Sequence, residues 1–112
     1  MNKLSWTDFE KIDMRVGTII DVRDFPEAKN PAYKLLIDFG ETIGVKKSSA
    51  QITALYKKAD LINKQVAAVI NFHPKQIANL ISEVLVVGFP DANNQPILLS
   101  PDKKVKNGGK LY

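Results

Sequence analysis

Residues 13–23 read DMRVGTIIDVR, and apolar and charged side chains alternate along most of this stretch. A period of two indicates a half-buried β-strand. One face would carry Met14, Val16, Thr18, Ile20 and Val22, and the other would carry Asp13, Arg15, Asp21 and Arg23 together with Ile19. A glycine inside a strand is typical of a bulge or a sharp bend, which we expect at Gly17.

Other segments of the chain also have the patterns of strands and helices. We expect further strands over residues 33–39, 43–47, 66–72 and 84–89. Capping-box spacing at Thr7–Glu10 and at Ser48–Gln51 predicts short helices over residues 7–12 and 49–58. Five strands with one helix between the third and fourth fit an all-β, five-stranded OB barrel, whereas a parallel βαβ sheet would need more helical connections. We predict one domain, with a helical extension (1–12), a barrel (13–89) and a tail (90–112).

Two of the strands are apolar on both faces, at residues 66–70 and 84–87. A barrel strand needs an apolar outer face only where something covers it. The N-terminal helix can cover part of this surface, and the tail around residues 96–99 can pair on an edge or pack against a second copy. We therefore predict a homodimer, with residues 90–112 as its dimerisation tail.

The amino-acid composition excludes several classes of protein and several kinds of site. The 112 residues include no cysteine and one histidine, His73, so disulfides, thiol nucleophiles and multi-histidine metal sites are excluded. The longest apolar run has five residues, no secretory signal is visible, and no catalytic motif appears. A carboxylate pair stays formally open, but no spacing singles one out. We predict a non-enzymatic cytoplasmic protein that does not insert into membranes.

Positive charge is concentrated in the middle of the chain. The net charge is +4, and residues 46–75 carry six lysines against one acidic residue. Such clustering is typical of a phosphate-bearing partner. A solvated, lysine-rich face explains the same charges, and charge alone leaves both interpretations open.

Several segments taken in order resemble one family. They are residues 13–20 (DMRVGTII), 46–53 (KKSSAQIT), 61–66 (LINKQV), 71–75 (NFHPK) and 82–85 (SEVL). Together they are similar to the tRNA-binding OB domain that is appended to some aminoacyl-tRNA synthetases. The short length and the SSAQIT wording resemble the CsaA type, a free-standing form of that domain. The resemblance covers the chain from about Asp8 to Lys110.

The resemblance implies a cytoplasmic OB-fold homodimer without catalysis, cofactor or metal. It implies two partners, namely tRNA or tRNA-like RNA, and the unfolded precursor proteins or peptides that an export chaperone binds. It also points to binding residues on one basic barrel face: Lys46, Lys47, Ser48, Ser49, Asn71, His73, Lys75 and Ser82.

Most of these residues have a structural alternative. The lysines either attract phosphate or are solvated, and Ser48 either contacts ligand or caps a helix. His73 either stacks on a base or caps its strand, and the Ser82 hydroxyl either faces ligand or bonds to backbone.

Two features depart from a strong RNA-binding pattern. Residues 76–81 (QIANLI) are neutral and largely apolar where the family often has basic residues, which weakens RNA affinity and favours peptide binding. We also expect Phe39 and Phe72 in the core, leaving only Phe25, Tyr33 and Tyr56 to stack on bases. A chaperone that binds only peptides, with RNA binding as a non-specific charge effect, is therefore the alternative.

Overall fold

The computed structural model describes residues 1–112, which form nine strands and two short helices. In chain order the elements are α1 (Trp6–Glu10), β1 (Met14–Asp24), β2 (Tyr33–Asp38), β3 (Val45–Ala50), α2 (Lys58–Leu61), β4 (Gln65–Val69), β5 (Lys75–Ile77), β6 (Leu80–Ser82), β7 (Leu85–Val86), β8 (Gly88–Pro90) and β9 (Pro96–Leu98). No helix here has the length and apolar character needed to span a membrane.

Five strands form the barrel. Their order is β3-β2-β1-β4-β7, and every neighbouring pair is antiparallel. The barrel is nearly closed where β3 meets residues 82–84, because the Glu83 N–H donates to the Lys47 carbonyl at 2.8 Å. The buried hydroxyl of Ser48 donates to the Val84 carbonyl at 3.2 Å across the same seam. The all-β OB barrel expected from the sequence is confirmed.

A bulge in β1 reverses the faces of that strand. Ile19 pairs with Ile37 and Asp21 pairs with Leu36, so Ile20 is the extra residue. Ile19 is fully buried and Ile20 is 44% exposed, so the assignment of Ile20 to the buried face is wrong. Because side chains alternate, one inserted residue moves the rest of the strand to the opposite face.

Gly17 has a packing role, and the bulge lies three residues further on. A Cβ at Gly17 would lie 2.7 Å from Ile37 Cγ2 and 2.8 Å from Phe39 Cδ1. Both partners are almost fully buried, so β1 needs glycine where it crosses the centre of the core.

Helix α1 begins earlier than its capping signal predicts, and α2 begins later than its own signal predicts. Ser5, not Thr7, caps α1, and its hydroxyl accepts the Asp8 N–H at 3.1 Å. The helix predicted over residues 49–58 is wrong in position, because β3 continues to Ala50, which pairs with Tyr33. The helical turn comes later, as α2, where Lys57 N–H donates to the Asp60 carboxylate at 3.1 Å. Its last residue, Leu61, is fully buried.

The second half of the barrel is more divided than predicted. The fourth strand ends at Val69, and the neutral segment 76–81 lies in a β5–β6 hairpin. The strand predicted over residues 84–89 is split, since β7 pairs with β4 whereas β8 pairs with β9. Leu98 of β9 is buried in the core, so residues 96–98 pack on their own barrel.

The last residues of the chain complete the sheet beside β1. Leu111 N–H donates to the Met14 carbonyl and Gly108 N–H to the Val16 carbonyl, both at 2.8 Å. Arg15 donates to the Gly108 carbonyl at 2.9 Å while its guanidinium also pairs with Asp13. Residues 107–111 thus occupy the edge of β1 that β2 leaves free.

Candidate nucleic-acid interface

An open cleft of about 520 Å³ lies between the end of β3 and the β5–β6 hairpin. Four of the predicted binding residues line it: Ser49, His73, Lys75 and Ser82. The loop after β4 carries His73, β5 begins with Lys75, and Ser82 ends β6. The fold thus brings Ser49 next to residues that lie 24 to 33 positions later in the chain.

Hydrogen bonds fix the hairpin against β3. Ser49 N–H donates to the Ser82 hydroxyl oxygen at 3.0 Å, and that hydroxyl donates to the Val84 carbonyl at 3.4 Å. Lys47 N–H donates to the Glu83 carboxylate at 2.9 Å. The Ser82 side chain is therefore bonded to backbone on both sides, and it shapes one wall of the cleft.

Lys46 and Lys47 lie on opposite faces of β3, because side chains alternate along a strand. Lys47 shares the outer face with Ser49, and it lines a second hollow of about 170 Å³ together with Arg23 and Lys34. Lys46 pairs with Ile37, whose side chain is fully buried, so Lys46 lies on the inward face at the end of the barrel. The structure therefore separates two lysines that are adjacent in sequence.

Arg23 and Lys34 join the basic face, although the sequence analysis did not select them. Arg23 pairs with Lys34, and Lys34 pairs with Ser49, so the three form one row across β1, β2 and β3. Arg23 also binds Asp21 at 2.9 Å, which partly offsets its charge. The alternation of β2 already placed Lys34 on the polar face of the strand, and that signal would have found it.

The other two predicted residues serve the fold in this structure. Ser48 has no exposed surface. The Asn71 amide accepts the Asp13 N–H at 3.0 Å and donates to the Lys11 carbonyl at 2.7 Å. Asn71 therefore holds the N-terminal segment against the loop that carries His73.

The exposed aromatic residue that lines the cleft is not one of the three predicted to stack on bases. Phe25 is 3% exposed and Tyr33 is 8% exposed, so neither offers a face to a base. Phe72, which we assigned to the core, is 58% exposed and lines the cleft next to His73. Strand β4 ends at Val69, three residues before Phe72, and this early end releases the ring to the surface.

The geometry can be compared with known proteins. The model of the tRNA binding domain family matches residues 14–110, which is most of the chain. The chain belongs to this family. Within the tRNA-binding domain family it is of the CsaA type. Two solved structures support this assignment: the CsaA chaperone protein from Picrophilus torridus (55% identity, TM-score 0.91, 98% of this chain and 100% of that chain) and chaperone CsaA from Bacillus anthracis str. Ames (44%, 0.91, 99% and 100%).

Curated relatives include larger enzymes. The methionine–tRNA ligase of Pyrococcus horikoshii is 36% identical over 111 residues, which are 99% of this chain and 15% of the ligase. The chain thus spans about 15% of the length of this relative. The MetRS-related protein from the same organism shares 20% identity at a TM-score of 0.87 over the whole of both chains, which shows a common fold.

Most cations on the outer face of this tRNA-binding domain, around the cleft, have no carboxylate partner, although Glu83 lines the cleft beside Lys75. The four ion pairs of the chain involve Lys11, Arg15, Arg23 and Lys58. Lys34, Lys47 and Lys75 therefore have no ion-pair partner within the chain, and the Lys34 ammonium lies 5.4 Å from the centre of the Phe25 ring. Away from the cleft, Lys58 hydrogen-bonds to the Asp24 carboxylate at 2.9 Å, and this bond raises the pKa of Lys58 above its usual value. No cluster of three potential metal ligands occurs in the chain.

Proposed function

We propose that this protein binds tRNA or tRNA-like RNA, without catalysis, on the face formed by β2, β3 and the β5–β6 hairpin. The observation that carries the proposal is the cleft in which exposed Phe72 and His73 stand beside Lys75, next to the basic row on β1–β3. The same face of OB folds commonly binds oligonucleotides. Membership of the tRNA-binding domain family supports the same ligand.

The lysines supply a sequence-independent part of the affinity. Lys34 and Lys47 on the strands and Lys75 on the hairpin have no carboxylate partner, so their ammonium groups can meet RNA phosphates directly. Each phosphate contact releases counterions, and the logarithm of the affinity then falls linearly with the logarithm of the salt concentration. Binding by this face is therefore expected to be strongly salt-dependent.

Phe72 supplies a stacking surface for an unpaired base. Its ring lines the cleft, and His73 follows it at the same wall. Stacking on an aromatic ring tolerates any base, so it adds affinity without reading sequence. One ring per cleft fits recognition of a folded RNA by shape and backbone better than reading of a long single strand.

A second candidate ligand is an unfolded precursor protein or peptide, as expected of an export chaperone. The apolar side of the cleft carries Phe72, Ile77 and Leu85, and the outer edge of β5 is unpaired, since that strand pairs only with β6. An extended peptide can add to such an edge and place alternate side chains in the cleft. The two CsaA relatives, which are described as chaperones, support this candidate.

We also propose a homodimer formed through α1 and the C-terminal residues. Trp6 is 79% exposed, and Leu4, Phe9 and Tyr112 join it around a hollow of about 390 Å³. A patch of this kind on a small protein indicates an interaction site. The expected result is that Trp6→Glu yields monomers in light scattering while Phe72→Glu stays dimeric. A dimeric Trp6→Glu protein, or a monomeric wild type, would remove this surface from consideration.

Removing residues 96–112 is a poor test of the dimer, because Leu98 belongs to the core and residues 107–111 pair with β1. The point variant leaves these contacts in place. We place the protein in the cytoplasm, since a chain without cysteine suits a reducing compartment, and cell fractionation tests this.

The RNA proposal is tested by fluorescence anisotropy of labelled tRNA at low and physiological salt. The wild type is expected to bind with a steep salt dependence and to be competed better by tRNA than by heparin. Replacing Lys47→Ala and Lys75→Ala together removes two phosphate contacts, so the salt slope is expected to fall by about 1.4–1.8. The matched control removes two exposed lysines that do not line the cleft, Lys3→Ala and Lys103→Ala.

Three outcomes decide between the candidates. If the cleft variant binds tRNA as tightly as the control variant, the interface is placed on the wrong face. If heparin competes as well as tRNA, RNA binding is only a charge effect and the peptide candidate leads. Labelled peptide binding is expected to change little with salt, since burial of apolar surface does not depend on counterion release.

A further inference from the structure

A separate pocket of about 450 Å³ lies at the opposite end of β4 from the cleft that contains Phe72. It is formed by the segment between α2 and β4 together with the chain after β9, and none of its lining side chains is acidic. The lining comprises Thr18, Asn63, Lys64, Gln65, Ser100, Pro101 and Lys104. This pocket shares no lining residue with the cleft described above.

The floor of the pocket is fixed by a hydrogen-bond network. The Gln65 amide donates to the Val105 carbonyl at 2.7 Å and accepts the Val105 N–H at 3.0 Å. Thr18 donates to the Asn107 side chain at 2.8 Å, and Ser100 donates to the Gln65 carbonyl at 2.7 Å. The polar groups of the floor are therefore occupied within the protein and hold the tail rigidly against β4.

The remaining polar side chains, Lys64, Lys104 and Asn63, can all donate hydrogen bonds. Lys64 and Lys104 belong to none of the ion pairs, and Asn63 takes no part in the network of the floor. Asn63 is held with a left-handed backbone (φ 67°) by donating its N–H to the Ile19 carbonyl at 2.8 Å. Asp102, the nearest acidic residue in sequence to Lys104, is exposed and outside the lining.

We propose that this pocket binds a phosphate group through Lys64, Lys104 and the Asn63 side-chain amide. Two cations and one neutral donor, with no carboxylate, match the charge and the acceptor oxygens of phosphate. The source is either the backbone of a bound RNA, in which case the inference rests on the proposed function, or a free oligophosphate.

The position of the pocket gives the RNA version a geometry. Strand β4 has five residues, so its ends are about 13 Å apart at 3.3 Å per residue. The Phe72 cleft follows one end of β4 and the lysine pocket precedes the other. An RNA held at both places would lie along the barrel over a few nucleotides. Binding at only one of the two places would not fix the direction of the RNA.

The test compares two double variants with the same loss of charge. Lys64→Ala with Lys104→Ala removes both cations from the pocket. Lys103→Ala with Lys106→Ala removes two exposed lysines of the same tail that do not line the pocket. The salt slope of tRNA binding is expected to fall by about 0.7–0.9 for each phosphate that the pocket variant no longer binds. The control variant is expected to keep the wild-type slope.

A second arm needs no RNA. Inorganic pyrophosphate is titrated into ¹⁵N-labelled wild-type protein, and saturable shifts of the Asn63 side-chain and Lys64 amide signals are expected, with none in the pocket variant. Shifts without a change in tRNA slope assign the pocket to free oligophosphate. Unchanged slopes together with absent shifts overturn the proposal. Failure of the wild type to bind tRNA at all refutes the proposed function and leaves this arm to decide the pocket.

Discussion

Replacing Phe72 by alanine should separate ligand binding from stability. The ring is 58% exposed, so about two fifths of it contributes to packing. Full burial of a phenylalanine contributes up to about 3 kcal/mol, and the loss of stability is therefore expected to be about 1 kcal/mol. Loss of a stacked base costs about 1–3 kcal/mol by alanine substitution, which corresponds to a roughly 5- to 150-fold weaker complex.

The assay is anisotropy of labelled tRNA at one fixed salt concentration, with urea denaturation of each variant beside it. Phe72→Trp is expected to keep the affinity, since indole offers a larger stacking face. Phe89→Ala is the matched control, because Phe89 is 66% exposed but lies in β8 outside the cleft. If folded Phe72→Ala protein binds tRNA within twofold of the wild type, stacking in this cleft is refuted.

Three further predictions concern the barrel and its surface. Gly17→Ala should destabilise the protein by about 1–3 kcal/mol, because the new Cβ would lie 2.8 Å from Phe39 Cδ1; an unchanged urea midpoint would contradict this. Ser48→Ala should cost about 1 kcal/mol of stability because a buried hydrogen bond disappears, and it should leave tRNA affinity unchanged, whereas a large drop in affinity would show that Ser48 reaches the ligand. Asp24→Asn should lower the pKa of Lys58 to its ordinary value of 10.5 in an NMR titration. Since the folded-state pKa is the higher one, any stabilisation by this pair is present below pH 10.5 and is lost as pH rises through the folded pKa, so the two proteins should converge in melting temperature there.

The barrel could be predicted because its main signals are local. Alternation in β2 correctly separates Leu35 and Ile37, which are buried, from Lys34 on the outer face. The order of strands and the single helical connection then limit the choice of topology. These patterns depend only on which face of a strand is buried, and a sequence records that directly.

The errors occur where a long-range contact competes with a local signal. Ser48 and Gln51 have helix-capping spacing, yet residues up to Ala50 gain more by pairing with β2, whose Tyr33 is the partner of Ala50. In β1, a single bulged residue at Ile20 reverses the face of every side chain on one side of it, and no composition signal marks that residue.

The sequence predicts only part of the candidate site, and the reason is related. The motif residues Ser49, His73, Lys75 and Ser82 do meet around one cleft. Whether Phe72 is exposed depends on where β4 stops, which is fixed by its pairing with β1 and β7. Exposure of an aromatic residue near a strand end is therefore a tertiary property.

The pairing of residues 107–111 with β1 has a consequence for how the chain folds. Arg15 and Gly108 are 93 positions apart, so this contact closes one of the longest loops in the protein. During synthesis, the free edge of β1 stays unpaired until residues 107–111 have emerged. An open strand edge can pair with other chains, and long-range closure is slow. The nascent barrel is thus exposed to aggregation through this edge until residues 107–111 pair with it.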